Sequence, residues 1–352
     1  MDEKVLHWIT VMMGAMTIVV CVCLYFFPDV HAKAVLAAEQ QMKEEYTGDN
    51  AALVSVSASD VVEQDKGLDA QLEIGLPQSL SEEQIQIEND YVTQTVYIRF
   101  AHGVADYFED YRIRGSSDHI AALSYYKDGE EGVIALSLDQ VYELQSKYET
   151  GNLYLDFIDP HDIYDKVVVI DAGHGSRALG AVKNGVSEKS IDLAIVLELK
   201  KLFDESDDNI GVYYTRTSDT DPTFDQRVQL ANKSHADLFI SVHNNSSASG
   251  NFTKTSGTQV MYSESDKSEL SSKRFAKICL DNVVEKFGSR SIGLLEGDSI
   301  YIIRTSEVPV ALVEVGFMTN YEELDKLKDP EYQAKAAEGI YQAIMEAFEE
   351  GY

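Results

Sequence analysis

Residues 166–171 read KVVVID, a continuous apolar run that passes straight into Ala172-Gly173-His174-Gly175. A strand apolar at nearly every position must be covered on both faces, the condition of a parallel sheet held between helix layers. Residues that follow supply such a cover, since Ile191, Ile195, Leu199, Leu202 and Phe203 recur on one face of a helix of 3.6-residue period. The alternation then continues. Further strands are predicted at 211–215, 236–243, 258–262, 299–304 and 310–315, with helices near 225–233, 268–287 and 331–349. Residues 164–352 are therefore expected to form an α/β domain with a mostly parallel sheet flanked by helices.

The region upstream is of a different kind. Residues 8–27 carry no charge over 20 positions, with Trp8 at one end and Tyr25, Phe26 and Phe27 at the other. As a helix this run spans about 30 Å, the thickness of a bilayer core, and its aromatics suit the two interfaces. Residues 1–27 are thus expected as a short N-terminal tip and transmembrane anchor, the apolar region being longer than the roughly 7–15 residues of a cleaved signal, while the charges flanking the run do not set its orientation. Residues 28–90 are acid-rich and lack sustained apolar periodicity, as expected for a self-repelling linker with short helices at 33–45 and 81–90. Residues 91–163 show β-type runs at 95–100, 120–126, 132–138 and 152–158, separated by turn signals such as Lys127-Asp128-Gly129. They are expected as a small β-rich accessory domain.

Charge and cysteine content narrow the chemistry. With 29 Lys plus Arg against 60 Asp plus Glu, the net charge of −31 excludes a nucleic-acid binder that works through a general basic surface. Most of the acid excess lies before residue 164. Of the 3 cysteines, Cys21 and Cys23 fall in the apolar run and Cys279 in a helical pattern, so there is no disulfide framework and no Cys-rich zinc site. A metal would have to be held by histidines and carboxylates.

Such groups occur where strands end, the place at which open α/β sheets build sites. His174 follows the first strand. Glu188 opens the first helix behind a candidate cap, Ser187. His243 ends the strand in ADLFISVHNN, residues 236–245. Two imidazoles and a carboxylate form a three-ligand set suited to catalytic zinc with an open fourth position. Glu314 interrupts the apolar strand PVALVEVGF, where an unpaired carboxylate is costly unless it has a partner or a task. Each group has an ordinary structural alternative: a hydrogen-bonded histidine, a dipole-favoured glutamate, or half of an ion pair between Glu314 and Arg216 or Arg304.

Seven stretches, in order, resemble the zinc-dependent N-acetylmuramoyl-L-alanine amidases of the amidase-3 type: VVVIDAGHG, GVSEK, YTRTSD, RVQLAN, ADLFISVHNN, GTQVMY and PVALVEVGFMTN. The resemblance spans about residues 166–348. It implies His174, Glu188 and His243 as ligands of Zn²⁺, Glu314 as catalytic general base, and Asn245 as a substrate contact. The bond cut in that family joins N-acetylmuramic acid to the L-alanine of the peptidoglycan stem peptide. Arg216, Asp219 and Arg227 match family positions and are assigned structural roles.

The β-rich region weakly resembles the AMIN-type domains that precede some cell-wall amidases, and it is open to glycan targeting, to an envelope protein partner through residues 91–163, or to spacing. Where family members often carry Gly-Gly-x-Asp after the first histidine, this chain has Gly175-Ser176-Arg177-Ala178. The short stretch between Tyr262 and Gly293 leaves little room for a helix closing the site. The expected protein is a single-pass bacterial membrane protein with an extracytoplasmic catalytic domain. Two competing readings are a non-catalytic envelope binding protein with the same fold and a zinc peptidase acting within the stem peptide.

Overall fold

A computed structural model describes residues 54–352. The expected anchor at 8–27 and the expected helix at 33–45 lie outside the described residues. Among those described, no helix is long and apolar enough to cross a membrane.

Among the described residues ten strands precede residue 164: β1 (Val54–Ser57), β2 (Val62–Gln64), β3 (Leu72–Gly75), β4 (Ile85–Asp90), β5 (Thr95–Phe100), β6 (Ile113–Gly115), β7 (Ile120–Asp128), β8 (Glu131–Leu138), β9 (Glu143–Glu149) and β10 (Asn152–Ile158). They make two five-stranded sheets, in the orders β1-β7-β8-β5-β4 and β2-β6-β3-β10-β9. One apolar core joins them, with Leu72, Ile74, Ile98, Phe100, Leu123, Ile134 and Leu155 fully buried.

The linker expected to reach residue 90 is thereby corrected, since residues 54–90 contribute β1 to β4. Its period-2 pattern is real but short. Leu72 and Ile74 are buried in β3, and in β4 the exposed Gln86 and Glu88 alternate with Ile85 and Ile87, which pack on the core. Acidic residues on the outward side of such strands raise the local charge without preventing pairing. The helix expected at 81–90 is likewise a 3₁₀ turn, Glu82–Gln84, leading into β4.

In the second unit six strands form one sheet: β11 (Lys166–Ala172), β14 (Ile210–Tyr214), β15 (Leu238–Asn245), β16 (Thr258–Tyr262), β17 (Ser291–Glu296) and β18 (Val310–Phe317). The order is β14-β11-β15-β18-β16-β17. The first four run parallel, β16 is antiparallel to β18, and β17 is parallel to β16. A two-stranded hairpin, β12 (Val182–Lys183) with β13 (Val186–Ser187), precedes α1 (Glu188–Asp204).

One sheet face is covered by α1, α3 (Ser272–Phe287) and α6 (Pro330–Glu349). The other is covered by α2 (Phe224–Lys233) and α4 (Tyr301–Thr305), joined by Val141, Tyr91, Val92 and Tyr164 from the upstream region. The remaining helix of this unit, α5 (Tyr321–Leu327), follows β18. The strand expected at 299–304 is instead α4. The chain turns at Gly297, which accepts from Ile300 N, and Arg304 N then bonds to Ile300 O. Successive Ile302 and Ile303 are both buried in the same core, which a helical turn permits and a strand does not. The adjacent sheet edge is taken by β17.

Candidate metal centre and active site

The carboxyl ends of β11, β15 and β18 meet at one place. After Ala172 the chain turns through Gly173 and His174, and His174 adopts φ +59°, a left-handed conformation that carries strain in a residue with a Cβ. Gly173 cannot carry a side chain, because a Cβ there would stand 2.6 Å from Nε2 of His243. Glu188 starts α1, where the free amides of the helix end favour a carboxylate. Gly180, at φ +64°, packs so closely that a Cβ would lie 2.7 Å from both Glu188 Cβ and His174 Cδ2. Two glycines thus make the space in which the three side chains meet.

Their polar atoms converge. His174 Nε2 is 3.0 Å and His243 Nδ1 is 3.1 Å from Glu188 Oε1. The two imidazoles stand edge to face with centroids 4.8 Å apart. Donor atoms of His174, Glu188, Asp192 and His243 all lie within 4.8 Å of one another. Donors bonded at about 2 Å to a tetrahedral ion are separated by little over 3 Å, so this cluster fits a divalent metal with only small adjustments. Asp192 is not anticipated by the sequence reading; its signal is an acid one turn after Glu188, between the buried Ile191 and Ile195.

Glu314 lies beside this cluster. It is the register partner of His243 in the neighbouring parallel strand, and its Oε2 is buried without a hydrogen-bond partner. Neither expected ion-pair partner reaches it. Arg216 donates to the carbonyls of Ala172, Gly173, Ser218 and Lys189, and Arg304 to those of Asp298 and Ser299. Asn245 ends β15 outside the donor cluster, with Nδ2 3.4 Å from Gln259 Oε1 and its own Oδ1 accepting from Ser246 N.

The N-acetylmuramoyl-L-alanine amidase family profile matches residues 168–346 of this chain. The chain belongs to the amidase-3 family. It is similar to the uncharacterised protein YqiI of Bacillus subtilis, 39% identical over 183 residues, covering 52% of this chain and 84% of that protein. It is similar too to the germination-specific N-acetylmuramoyl-L-alanine amidase of the same organism, 32% identical over 203 residues, covering 53% and 81%. Among solved structures, the catalytic domain of the amidase CwlV from Bacillus (Paenibacillus) polymyxa var. colistinus is 33% identical, covering 52% of this chain and 98% of that one, with a TM-score of 0.48.

The amidase site is held from beneath by a buried network. Arg227 Nη1 donates to Asp171 Oδ1 and Ala172 O, and Nη2 to His174 O at 2.6 Å. Ser241 and Thr215 hydroxyls donate to the same Asp171 carboxylate, each at 2.6 Å. In the turn where the amidase departs from its family pattern, Gly175 and Ala178 pair backbone to backbone, and Asp219 accepts from Ser176 N and from Lys189 Nζ. Arg216, Asp219 and Arg227 therefore hold the loop that carries His174. Helix α3 packs into the core on the α1 side, and the His174 side chain remains 28% exposed.

Electrostatics divide the acidic groups of the amidase. Burial alone would raise the Glu188 carboxyl, but hydrogen bonds from His174 and His243 hold it far below the ordinary range. Burial would lower the His243 imidazolium, but Glu188 and the nearby acids raise it to about 9. Burial dominates at Glu314 and pushes its carboxyl up to about 7. One carboxylate is thus held anionic among its donors while the other sits where a proton can be taken and given back near neutrality.

Proposed function

We propose that the chain hydrolyses the amide bond between N-acetylmuramic acid and the L-alanine of the peptidoglycan stem peptide, with His174, Glu188 and His243 holding a zinc ion and Glu314 as general base. The observation that carries this assignment is the unpartnered, buried Oε2 of Glu314 directly beside the converged His174, Glu188 and His243 donors. When bound there, the ion supplies Lewis acidity that polarises the scissile carbonyl and acidifies the attacking water. Glu314 takes a proton from that water and returns it to the leaving nitrogen of L-alanine. The Arg227 clamp on His174 O keeps the first imidazole in its strained turn throughout. Asn245, at the end of the His243 strand, offers its amide to the substrate.

The apolar segment 8–27 supports a membrane tether, and a peptidoglycan substrate supports an extracytoplasmic catalytic domain. The β-rich unit then stands between membrane and catalytic domain, available to an envelope partner. The deciding experiment is mass spectrometry of intact peptidoglycan treated with the full chain, with and without zinc. Stem peptides bearing a free L-alanine amine, released only with the metal, support the assignment. Cuts between residues of the stem peptide, or no release by zinc-loaded protein, overturn it.

A further inference from the structure

Asp192 follows Glu188 by one helical turn on α1, which places both carboxylates on one helix face. It is 0% exposed. Its Oδ1 accepts a 2.7 Å hydrogen bond from Asn244 Nδ2, and its Oδ2 has no partner. Asn244 Oδ1 is also unpartnered, while the Asn244 backbone amide donates to Glu188 Oε1 at 3.2 Å. The guanidinium whose charge Asp192 influences, Arg216, spends its hydrogen bonds on backbone carbonyls. Burial pushes the Asp192 carboxyl well above the ordinary carboxylate range, so a charge held there with one amide donor and no ion pair is costly to retain without a cation nearby.

Asn244 sits at the strand irregularity between His243 and Asn245, and the Asp192 it holds is 0% exposed, whereas the side chains of His174, His243 and Glu188 are 28%, 17% and 8% exposed. Asp192 thus lies on the closed side of the cluster, behind the more exposed His174 and His243, with its donor atom within 4.8 Å of those of His174, Glu188 and His243. We infer that Asp192 is a buried counter-charge of the metal centre, strengthening the hold on a divalent cation through space without ligating it. The positive charge of the ion is what the unpartnered Oδ2 lacks.

The inference rests on the assignment of His174, Glu188 and His243 as ligands, and the test separates the two. Zinc is titrated into the metal-free full chain by calorimetry, and the metal-free protein is unfolded thermally. A wild-type chain that binds no zinc sinks the ligand assignment and this inference together. Given wild-type binding, Asp192→Asn is expected to raise the zinc Kd by about 10- to 100-fold while the metal-free midpoint is unchanged or higher, because a neutral amide is cheaper to bury.

A Kd within about twofold of wild type overturns the inference alone, as does weaker binding accompanied by a lower metal-free midpoint, the signature of a merely structural role. Asn244→Ala covers the case in which Asp192→Asn does not fold, since it removes the donor and keeps the charge. Its zinc affinity is expected to stay within about twofold of wild type while its metal-free midpoint falls. Loss of zinc affinity in Asn244→Ala overturns the inference.

Discussion

His243 and Glu314 are register partners in adjacent parallel strands, and His243 Nδ1 reaches 3.1 Å to Glu188 Oε1 on α1. His243 thus bonds Glu188, while the carboxylate beside it in the next strand, Glu314, keeps Oε2 buried without a partner. The two acids are separated by element as well as by environment: Glu188 is held by a helix end and Glu314 by a central strand.

That separation makes Glu314 removable without dismantling the centre. Glu314→Gln is expected to lower the rate of L-alanine amine release by about 10²- to 10⁴-fold, the usual contribution of a general base. Zinc content should be unchanged, because no donor atom is lost. Metal analysis beside product analysis checks both halves, and loss of zinc from the variant would place Glu314 among the ligands.

Gly173→Ala tests the space in which the histidines meet. The new methyl would fall on the His243 imidazole, 2.6 Å from Nε2. The imidazole must shift, so zinc affinity and activity should both drop sharply. Gly185→Ala is the control: its φ of +79° makes a side chain strained, at about 1–2 kcal/mol, but nothing lies within 4 Å of the added atom. A stability loss with unchanged zinc affinity is expected there, measured by thermal unfolding and zinc titration.

Asp171 predicts an acid limb of stability. Burial alone would raise its carboxyl, but Arg227 and the Ser241 and Thr215 hydroxyls outweigh burial and hold it below the ordinary value of 3.8. A carboxyl whose folded value is depressed contributes stability that is fully present above the unfolded value and is lost as pH falls through the folded one. Stability should therefore decline with acidification below about pH 4, and Asp171→Asn should flatten that decline. At neutral pH the same variant leaves Arg227 without its buried partner, at a cost of about 3–5 kcal/mol. Denaturant unfolding across pH measures slope and offset together.

How much of this was legible beforehand differs by region. The strand ending in His174, the helix opened by Glu188 and the strand ending in His243 are long apolar or periodic segments, and the structure brings their side chains together. Glu314 was visible as a charge in an apolar strand. Asp192 was not, because one acid on a helix reads as an exposed position until the sheet is in place above it. The upstream strands were hidden for another reason: β3 and β4 carry only two or three inward residues each, and Glu73, Glu88 and Asp90 dominate the composition. The 299–304 segment misled because Ile302 and Ile303 look like strand residues, whereas both are buried in one core from a helical turn that starts after Gly297.

The last prediction concerns the junction of the two units. Glu143 on β9 accepts from Tyr91 through one carboxylate oxygen and from Tyr213 on β14 through the other, each at 2.7 Å. Val141 N donates to Lys233 O at 2.9 Å, and Val141 is buried in the same core as Val167, Val169 and Phe239. A core shared across the junction couples the two folds, so thermal unfolding of the full chain should show one transition spanning both. Glu143→Ala strands two phenol hydroxyls and should cost about 2–4 kcal/mol, whereas Tyr213→Phe leaves Glu143 one donor and should cost about 1 kcal/mol. A chain shortened to begin at residue 164 loses Val141, Tyr91 and Val92 from this core, so it should melt earlier and aggregate more readily than the full chain. Two separate transitions, or a shortened chain as stable as the whole, would show that the units fold independently.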